Sequence, residues 1–207
     1  MTLIEMVESL CRWLDEKVCS QITLLEPDDN MQSAEYEGLR VHPKAYPLFN
    51  PWQDANPEVE IPGAPGIVVS VLEGHDDLKR NLRVLSLQLQ LISWNPGKYG
   101  RDILYPIEDP DTPTGARYVR KMDEWTYERS QSGWKDSYAF LEVTLSELEK
   151  TELISGMRLK LKEDGLTYGH YRDETGPADL WPYWINYIKV DVEVGLNKPS
   201  KIYQEYL

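Results

Sequence analysis

Histidine and cysteine are scarce in this 207-residue chain, and each scarcity argues against a class of site. The three histidines, His42, His75 and His170, stand apart in polar segments, so their spacing indicates neither zinc nor a catalytic cluster and favours solvated side chains. The two cysteines, Cys11 and Cys19, would stand roughly 12 Å apart along a helix axis. That separation is too long for a disulfide, so we expect reduced thiols.

Positive charge is also in short supply, with 22 lysines and arginines against 35 aspartates and glutamates and a net charge of −13. A nucleic-acid groove needs clustered cations, so this balance argues against one. No apolar run approaches about 18 residues, which argues against a transmembrane helix. The N-terminus has no basic region followed by an apolar core, so we expect no signal peptide.

The sequence contains none of the familiar catalytic signatures: no phosphate-binding lysine loop, no dinucleotide-binding glycine run, no nucleophile elbow and no zinc-protease helix. Asp76 and Asp77 could imitate an acid/base pair, but Lys79 and Arg80 follow them in a predicted turn, which favours turn-forming and solvent-facing roles. The segment 109–111, Asp-Pro-Asp, has the same character. We therefore expect no enzyme, no metal and no cofactor.

The strongest pattern in the chain is the stretch from Gly66 to Asn95. From Leu85 to Leu91 every second residue is leucine, with Ser86, Gln88 and Gln90 between them. This alternation predicts a strand with one buried and one polar face. A short apolar run, 67–72, and a polar turn, 73–81, would place a second strand beside it in antiparallel fashion. The polar face offers a surface that could meet another subunit.

The segments before and after the stretch 66–95 have the hydrophobic patterns of helices and further strands. Thr2 and Glu5 form a predicted capping box for an amphipathic helix over 2–20. Gly133 is predicted to open a second helix that reaches Thr151 or Leu153, with Gly156 marking its end. Further strands are predicted at 157–161, 166–171 and 181–194. The sequence thus predicts an α+β domain over residues 1–207, with two helices on one face of a mostly antiparallel or mixed sheet of about four to five strands.

Two irregular segments interrupt this pattern: a proline-rich lead over 21–65 and an insertion over 96–132. A short extended piece around 39–42 could pair at a sheet edge, and 101–104 and 117–125 could be short strands or turns. The chain has seven Trp and 13 Tyr against two Phe, and amphipathic rings are common at interfaces. In the insertion the alternative is a minor core, and we favour an interface. The candidate subunit or partner contacts are Trp52, Trp94, Tyr99, Arg101, Tyr105, Tyr118, Trp125 and Tyr127.

The order of these pieces resembles the tail terminator proteins of tailed phages. The matching pieces are Ala-Pro-Gly-Ile-Val-Val at 64–69, Gly-Trp-Lys-Asp at 133–136 and Trp-Pro-Tyr-Trp-Ile at 181–185, after an N-terminal helix and Val-His-Pro at 41–43. Together they cover most of the chain in order, although each motif alone is weak. The departure is the insertion, since in the relatives the long strand runs almost directly into the second helix.

The resemblance implies a structural protein of a phage tail or tail-like particle, located in the virion and assembled in the host cytoplasm. Such proteins form a ring, commonly a homo-hexamer, that caps the tail tube, ends its polymerisation and joins the tail to the head connector. The implied partners are the chain itself, the tail tube protein, connector or neck proteins, and a sheath if the tail is contractile. DNA would only pass through the channel, and no membrane is involved.

Two alternatives stay open beside this interpretation. The chain could be another neck or head-completion protein, because such rings stack and share small α+β folds. It could also be a non-catalytic accessory binding protein whose lead and insertion fold around a single partner. Self-association and addition to tail tubes separate the ring from the accessory protein.

Overall fold

A computed structural model describes residues 1–27, 39–48, 63–95, 104–108, 116–120, 127–161, 165–173, 176–177 and 183–196. Two α-helices and thirteen strands lie in this part of the chain. The helices are α1 Leu3–Lys17 and α2 Tyr127–Lys150. The strands are β1 Leu24–Leu25, β2 Arg40–Val41, β3 Lys44–Pro47, β4 Gly66–Asp77, β5 Leu82–Trp94, β6 Leu104–Glu108, β7 Ala116–Arg120, β8 Leu153–Ile154, β9 Met157–Leu159, β10 Thr167–His170, β11 Arg172–Asp173, β12 Gly176–Pro177 and β13 Tyr183–Gly195.

The main sheet has seven strands, arranged in the order β3-β4-β5-β13-β9-β8, with β10 also pairing with β13. The β3–β4 pair is parallel and the other pairs are antiparallel, so the sheet is mixed. The predicted α+β class is confirmed. The strands predicted at 157–161 and 166–171 are β9 and β10. The two further strands of the main sheet, β3 and β8, have four and two residues, too few for an alternating pattern to stand out.

The predicted hairpin forms the centre of the sheet, because β5 pairs along its whole length with β13 on one side and with β4 on the other. The boundary of its turn was wrong. Residues 73–77 continue β4 past a register shift between Val71 and Glu73, and the turn occupies only 78–81. Polar residues are tolerated in this part of the strand because it is exposed to solvent.

Both helices pack on one face of the sheet, as predicted. Their apolar residues join the alternate leucines of β5 and the alternate Ile and Val residues of β13 in one buried cluster. Its sheet members include Ile67, Val69, Leu85, Leu87, Leu89, Leu91, Ile188, Val190, Val192 and Val194. Cross-strand register aligns them, since Leu89 lies opposite both Val69 and Ile188. A smaller cluster on the other face holds Ala64, Val68, Ile92, Trp94 and Ile185.

The start of α1 agrees with its predicted cap. The Thr2 hydroxyl accepts a hydrogen bond from the Glu5 amide at 3.2 Å, and the Glu5 carboxylate accepts one from the Thr2 amide at 2.7 Å. The predicted start of α2 was wrong, whereas its end lies one residue before the predicted Thr151. This helix begins at Tyr127, so Gly133 lies inside it, and it ends at Lys150.

Gly156 does not mark the end of α2 but helps to turn the chain between β8 and β9. Ser155 has a φ of 50° and Gly156 a φ of 88°. Two successive residues with positive φ are typical of a two-residue hairpin turn, in which glycine adopts this conformation at little cost. Gly156 thus does mark a turn, but the turn is the one between β8 and β9 and not the end of α2.

The lead and the insertion contain more regular structure than expected. In the lead, β2 pairs with β1, and β3 forms the parallel edge of the main sheet. In the insertion, β6 and β7 form a separate antiparallel hairpin, and α2 begins before position 132. Prolines permit β3 because it lies at an edge, where one side of a strand needs no sheet partner. The predicted turn at 109–111 lies outside the described residues.

Candidate functional site

The sheet face that points away from the helices is largely polar along the middle of β5. The Ser86 hydroxyl donates to the Asp191 carboxylate at 2.6 Å, across the β5–β13 pair. Gln88 lies opposite Lys189, and Gln90 opposite Tyr187. The three β5 side chains are half-buried, and Lys189 is exposed. This face therefore carries hydrogen-bond donors and acceptors, together with one positive and one negative side chain.

Two of the three motif pieces behind the family resemblance meet at one half-buried junction. Asn95, at the end of β5, donates its amide to the Asp136 carboxylate on α2 at 2.7 Å. The Asn95 carbonyl accepts a hydrogen bond from the Trp184 indole at 2.8 Å, and Arg40 of β2 reaches Asp136 at 3.3 Å. One carboxylate thereby joins the lead, the end of the central strand and the second helix.

Gly133 makes this junction possible because it brings α2 against the sheet. A β-carbon at this position would lie 2.4 Å from the Trp184 indole nitrogen and 2.5 Å from the Asn95 carbonyl oxygen. Both distances are shorter than any van der Waals contact. One turn further along, the buried Asn186 side chain donates to the Ser137 hydroxyl at 2.7 Å. The glycine is therefore a packing requirement and not a helix start.

The predicted contact residues fall into three groups. Trp94 is only 2 % exposed and packs in the smaller core cluster, so its ring fills the subunit's own interior and offers almost no surface. Tyr105, Tyr118 and Tyr127 lie in β6, β7 and α2, where only the backbone is described. The remaining predicted contacts, Trp52, Tyr99, Arg101 and Trp125, lie outside the described residues.

The histidines and paired carboxylates are not brought together. His42 is exposed, and its Nδ1 lies 3.0 Å from the Cys19 carbonyl and 2.9 Å from that of Ile22. Carbonyls only accept, so Nδ1 carries the hydrogen and ties the lead to the end of α1. Asp76 pairs with Arg83 at 2.7 and 2.8 Å, which lowers the pKa of Asp76 through the hydrogen bonds and charge of the guanidinium. Across the described ranges, no group of three potential metal ligands occurs.

Both cysteines are buried free thiols beside Asp15. Burial, with a smaller contribution from the Asp15 carboxylate, raises the pKa of Cys11 from 9.0 to about 11 and that of Cys19 from 9.0 to about 12. The Ala45 amide donates to the same carboxylate at 2.8 Å, which links α1 to β3. Thiols held neutral in this way are poor nucleophiles, so they belong to the core and not to a reactive site.

These raised pKa values predict a loss of stability at alkaline pH. In the unfolded chain the thiols ionise near pH 9, whereas in the folded protein they keep their protons up to about pH 11 and 12. Their contribution is therefore complete below pH 9 and is lost as the pH rises from there. The free energy of unfolding should fall by up to about 1.4 kcal/mol per pH unit for each thiol.

Urea unfolding at a series of pH values from 8 upwards would measure this loss. The double variant Cys11→Ala, Cys19→Ala is the control: it should be less stable at pH 8, but its stability should fall less steeply above pH 9. Equal slopes for the two proteins would contradict the assigned pKa shifts.

In comparisons with known proteins, no family model, no curated protein and no solved structure matches the chain. In the part of the chain that the structure describes, no helix is long and apolar enough to cross a bilayer.

Proposed function

We propose that this protein is a non-catalytic structural subunit of a phage tail or tail-like particle. It forms a ring, commonly a hexamer among the proteins it resembles, at the end of the tail tube. The ring ends tube polymerisation and joins the tail to the head connector. The observation that carries the proposal is the junction at Asp136, where the Gly-Trp-Lys-Asp motif and the Trp184 end of the last motif are held against each other by hydrogen bonds.

This junction supports the proposal because the residues of two weak motifs have a structural role in the same contact. Gly133 is needed for the close approach of Trp184, Asp136 holds Asn95, and the two motifs lie about fifty residues apart in the chain. Motifs that occur in a family's order and also contact one another in the fold are less easily explained by chance than isolated short motifs.

The architecture also suits a ring subunit. A ring closes through heterologous contacts, in which two different surfaces of the same chain meet. The main sheet offers two unlike edges, β3 on one side and β8 on the other, and an open polar face between them. A strongly acidic chain would not hold DNA that passes through the ring, because phosphate is repelled.

The partners follow from this role. They are other copies of the chain, the tail tube protein, the connector or neck proteins and, in a contractile particle, the sheath. The protein would be located in the virion after assembly in the host cytoplasm. The Ser86–Gln90 face and the β6–β7 hairpin of the insertion are the first places to seek contacts with them.

Assembly experiments test the proposal directly. The purified protein is sized by multi-angle light scattering, mixed with isolated tail tubes and imaged by negative stain. We expect closed rings, either in solution or at one end of the tubes, and tubes that no longer elongate after addition of the protein. A tube end that stays open and keeps growing, together with a monomer at high concentration, would contradict the ring.

A different result would favour the accessory binding protein. A monomer that binds a single particle component one-to-one, without capping tubes, is what that alternative predicts. The experiment includes tail tubes because some rings form only on the end of a tube. The mass of the protein in solution is therefore not the only measurement.

A further inference from the structure

The outer side of helix α2 carries a pair of aromatic rings that lies outside the buried core. Trp134 and Tyr138 are one turn apart, with ring centroids separated by 5.6 Å and ring planes at 87° to each other. The two residues are 39 and 44 % exposed. Within the part of the chain that the structure describes, neither the indole N–H nor the phenol hydroxyl forms a hydrogen bond. The pair thus presents aromatic surface to solvent.

The motif at 133–136 divides between a folding role and the surface. Gly133 packs against Trp184 and Asp136 holds the junction, whereas Trp134 and Lys135 are exposed. Because successive residues of a helix are about 100° apart, Trp134 lies about 200° from Asp136 and its ring faces away from the junction. Tryptophan and tyrosine are the residue types that supply much of the binding energy at protein interfaces. This half of the motif is therefore available for binding.

A carboxylate continues the line of the two rings. Glu142 is exposed and lies one turn after Tyr138, about 6 Å further along the helix axis. It makes no ion pair with any residue that the structure describes. Trp134, Tyr138 and Glu142 thus follow one another at intervals of four residues on one side of α2, and we call them the α2 stripe. The stripe places two aromatic rings and an unpaired carboxylate within about 12 Å along the axis.

Among the described residues, no cation occupies the α2 stripe. Lys135 is exposed next to it, but its ammonium contacts neither ring, since successive side chains of a helix do not face each other. Two other cations are engaged by carboxylates of α2: Lys150 pairs with Glu147 at 3.0 Å and Arg40 with Asp136 at 3.3 Å. Because the chain has a net charge of −13, the stripe lies in a negative field.

We propose that the α2 stripe binds an arginine-bearing basic segment of another protein. A guanidinium is planar, so it can lie on an aromatic face and form paired hydrogen bonds with a carboxylate, which the compact ammonium of lysine cannot do. The stripe offers the rings and the carboxylate of Glu142 in succession. The negative field of the chain attracts a basic segment and repels nucleic acid or an acidic peptide. This binding site does not depend on the proposed ring.

The first experiment is a nuclear magnetic resonance titration of the nitrogen-15-labelled protein with short synthetic peptides. The probe is an acetylated and amidated peptide of alternating glycine and arginine, and the matched peptides carry lysine or glutamate in place of arginine. The chain has seven tryptophans, and the indole N–H signal of Trp134 is identified by its absence in Trp134→Phe. We expect the arginine peptide to shift this signal selectively, with an affinity about threefold higher than that of the lysine peptide. The glutamate peptide should leave the signal unchanged.

The second experiment repeats the titration with variants of the stripe. Tyr138→Ala and Glu142→Gln should each weaken binding of the arginine peptide by about fivefold, because one removes a ring and the other the charge of the carboxylate. Glu16→Gln is the matched control, since Glu16 is an exposed carboxylate of α1 outside the stripe and its replacement changes the net charge equally. All three variants should keep the thermal midpoint of the wild type, because the altered side chains are largely exposed.

The outcomes separate this site from the proposed function. A Trp134 signal that stays in place with the arginine peptide, or that moves equally with the glutamate peptide, would overturn the site, and so would an unchanged affinity in Glu142→Gln. A Tyr138→Ala protein that loses ring assembly, when the wild type binds no arginine peptide, would assign the stripe to a contact between copies and overturn the proposal. A wild type that binds the peptide but does not cap tubes would overturn the ring and leave this site standing.

Discussion

Replacing Gly133 with alanine should destabilise the protein strongly, although alanine is the best helix former. In an exposed helix interior, this change would stabilise by about 1 kcal/mol. Here the new methyl carbon would lie 2.4 Å from the Trp184 indole nitrogen and 2.5 Å from the Asn95 carbonyl oxygen. Either α2 moves away from the sheet or the indole gives up its 2.8 Å hydrogen bond. We expect a net loss of about 2–4 kcal/mol in the free energy of unfolding, and a larger loss for valine.

Urea unfolding followed by circular dichroism measures this effect, and Gly195→Ala is its control. Gly195 ends β13, and a β-carbon there would have no atom of the described residues within 4 Å, so its replacement should change stability by less than about 0.5 kcal/mol. The tryptophan emission of the protein, to which Trp184 contributes, should shift in the Gly133 variant only. A Gly133→Ala protein as stable as the wild type would show that the close approach of α2 is not required.

Replacing Leu89 with aspartate should abolish folding or cost more than about 4 kcal/mol. Leu89 is fully buried under the two helices, between Val69 of β4 and Ile188 of β13. A carboxylate at this position has no partner in the apolar cluster, so it must either lose its charge or open the core. The protein should be insoluble or should unfold at far lower urea concentrations, as judged by circular dichroism of the soluble fraction.

The neighbouring residue provides the matched control. Gln88→Glu changes the polar face, where Gln88 is half-buried opposite the exposed Lys189. Stability should change by less than about 0.5 kcal/mol, because an added carboxylate meets an ammonium there. A defect of this variant in assembly but not in folding would place the polar face in an interface. If both substitutions proved equally harmless, the register of β5 would be wrong.

The alternating leucines of β5 were sufficient to predict the centre of the fold, because a period of two allows only one set of side chains to face a core. The capping box at Thr2 and the helical periodicity of α1 were equally predictable from the sequence. Sequence also indicated the two helices on one face and the α+β class. These features depend on local pattern and on nearest neighbours in the chain.

The candidate site was less predictable because its parts are distant in sequence. The motifs around Gly133 and Trp184 were visible as motifs, but their contact through Asn95 was not. Trp94 looked like a surface aromatic beside an insertion, and only packing of the second cluster shows it to be interior. The hydrogen bond from the Leu196 amide to the Asn81 carbonyl in the turn of the hairpin was equally unpredictable, since the two residues are far apart in the chain.

The sequence by itself determined the buried face of the central strand, the first helix and the scarcity of residues for metal or catalytic chemistry, since these follow from periodicity and composition. The tertiary structure decided where α2 begins and why Gly133 is needed. It also decided that residues 73–77 extend a strand. These properties arise from distances between segments far apart in the chain, which only the folded backbone establishes.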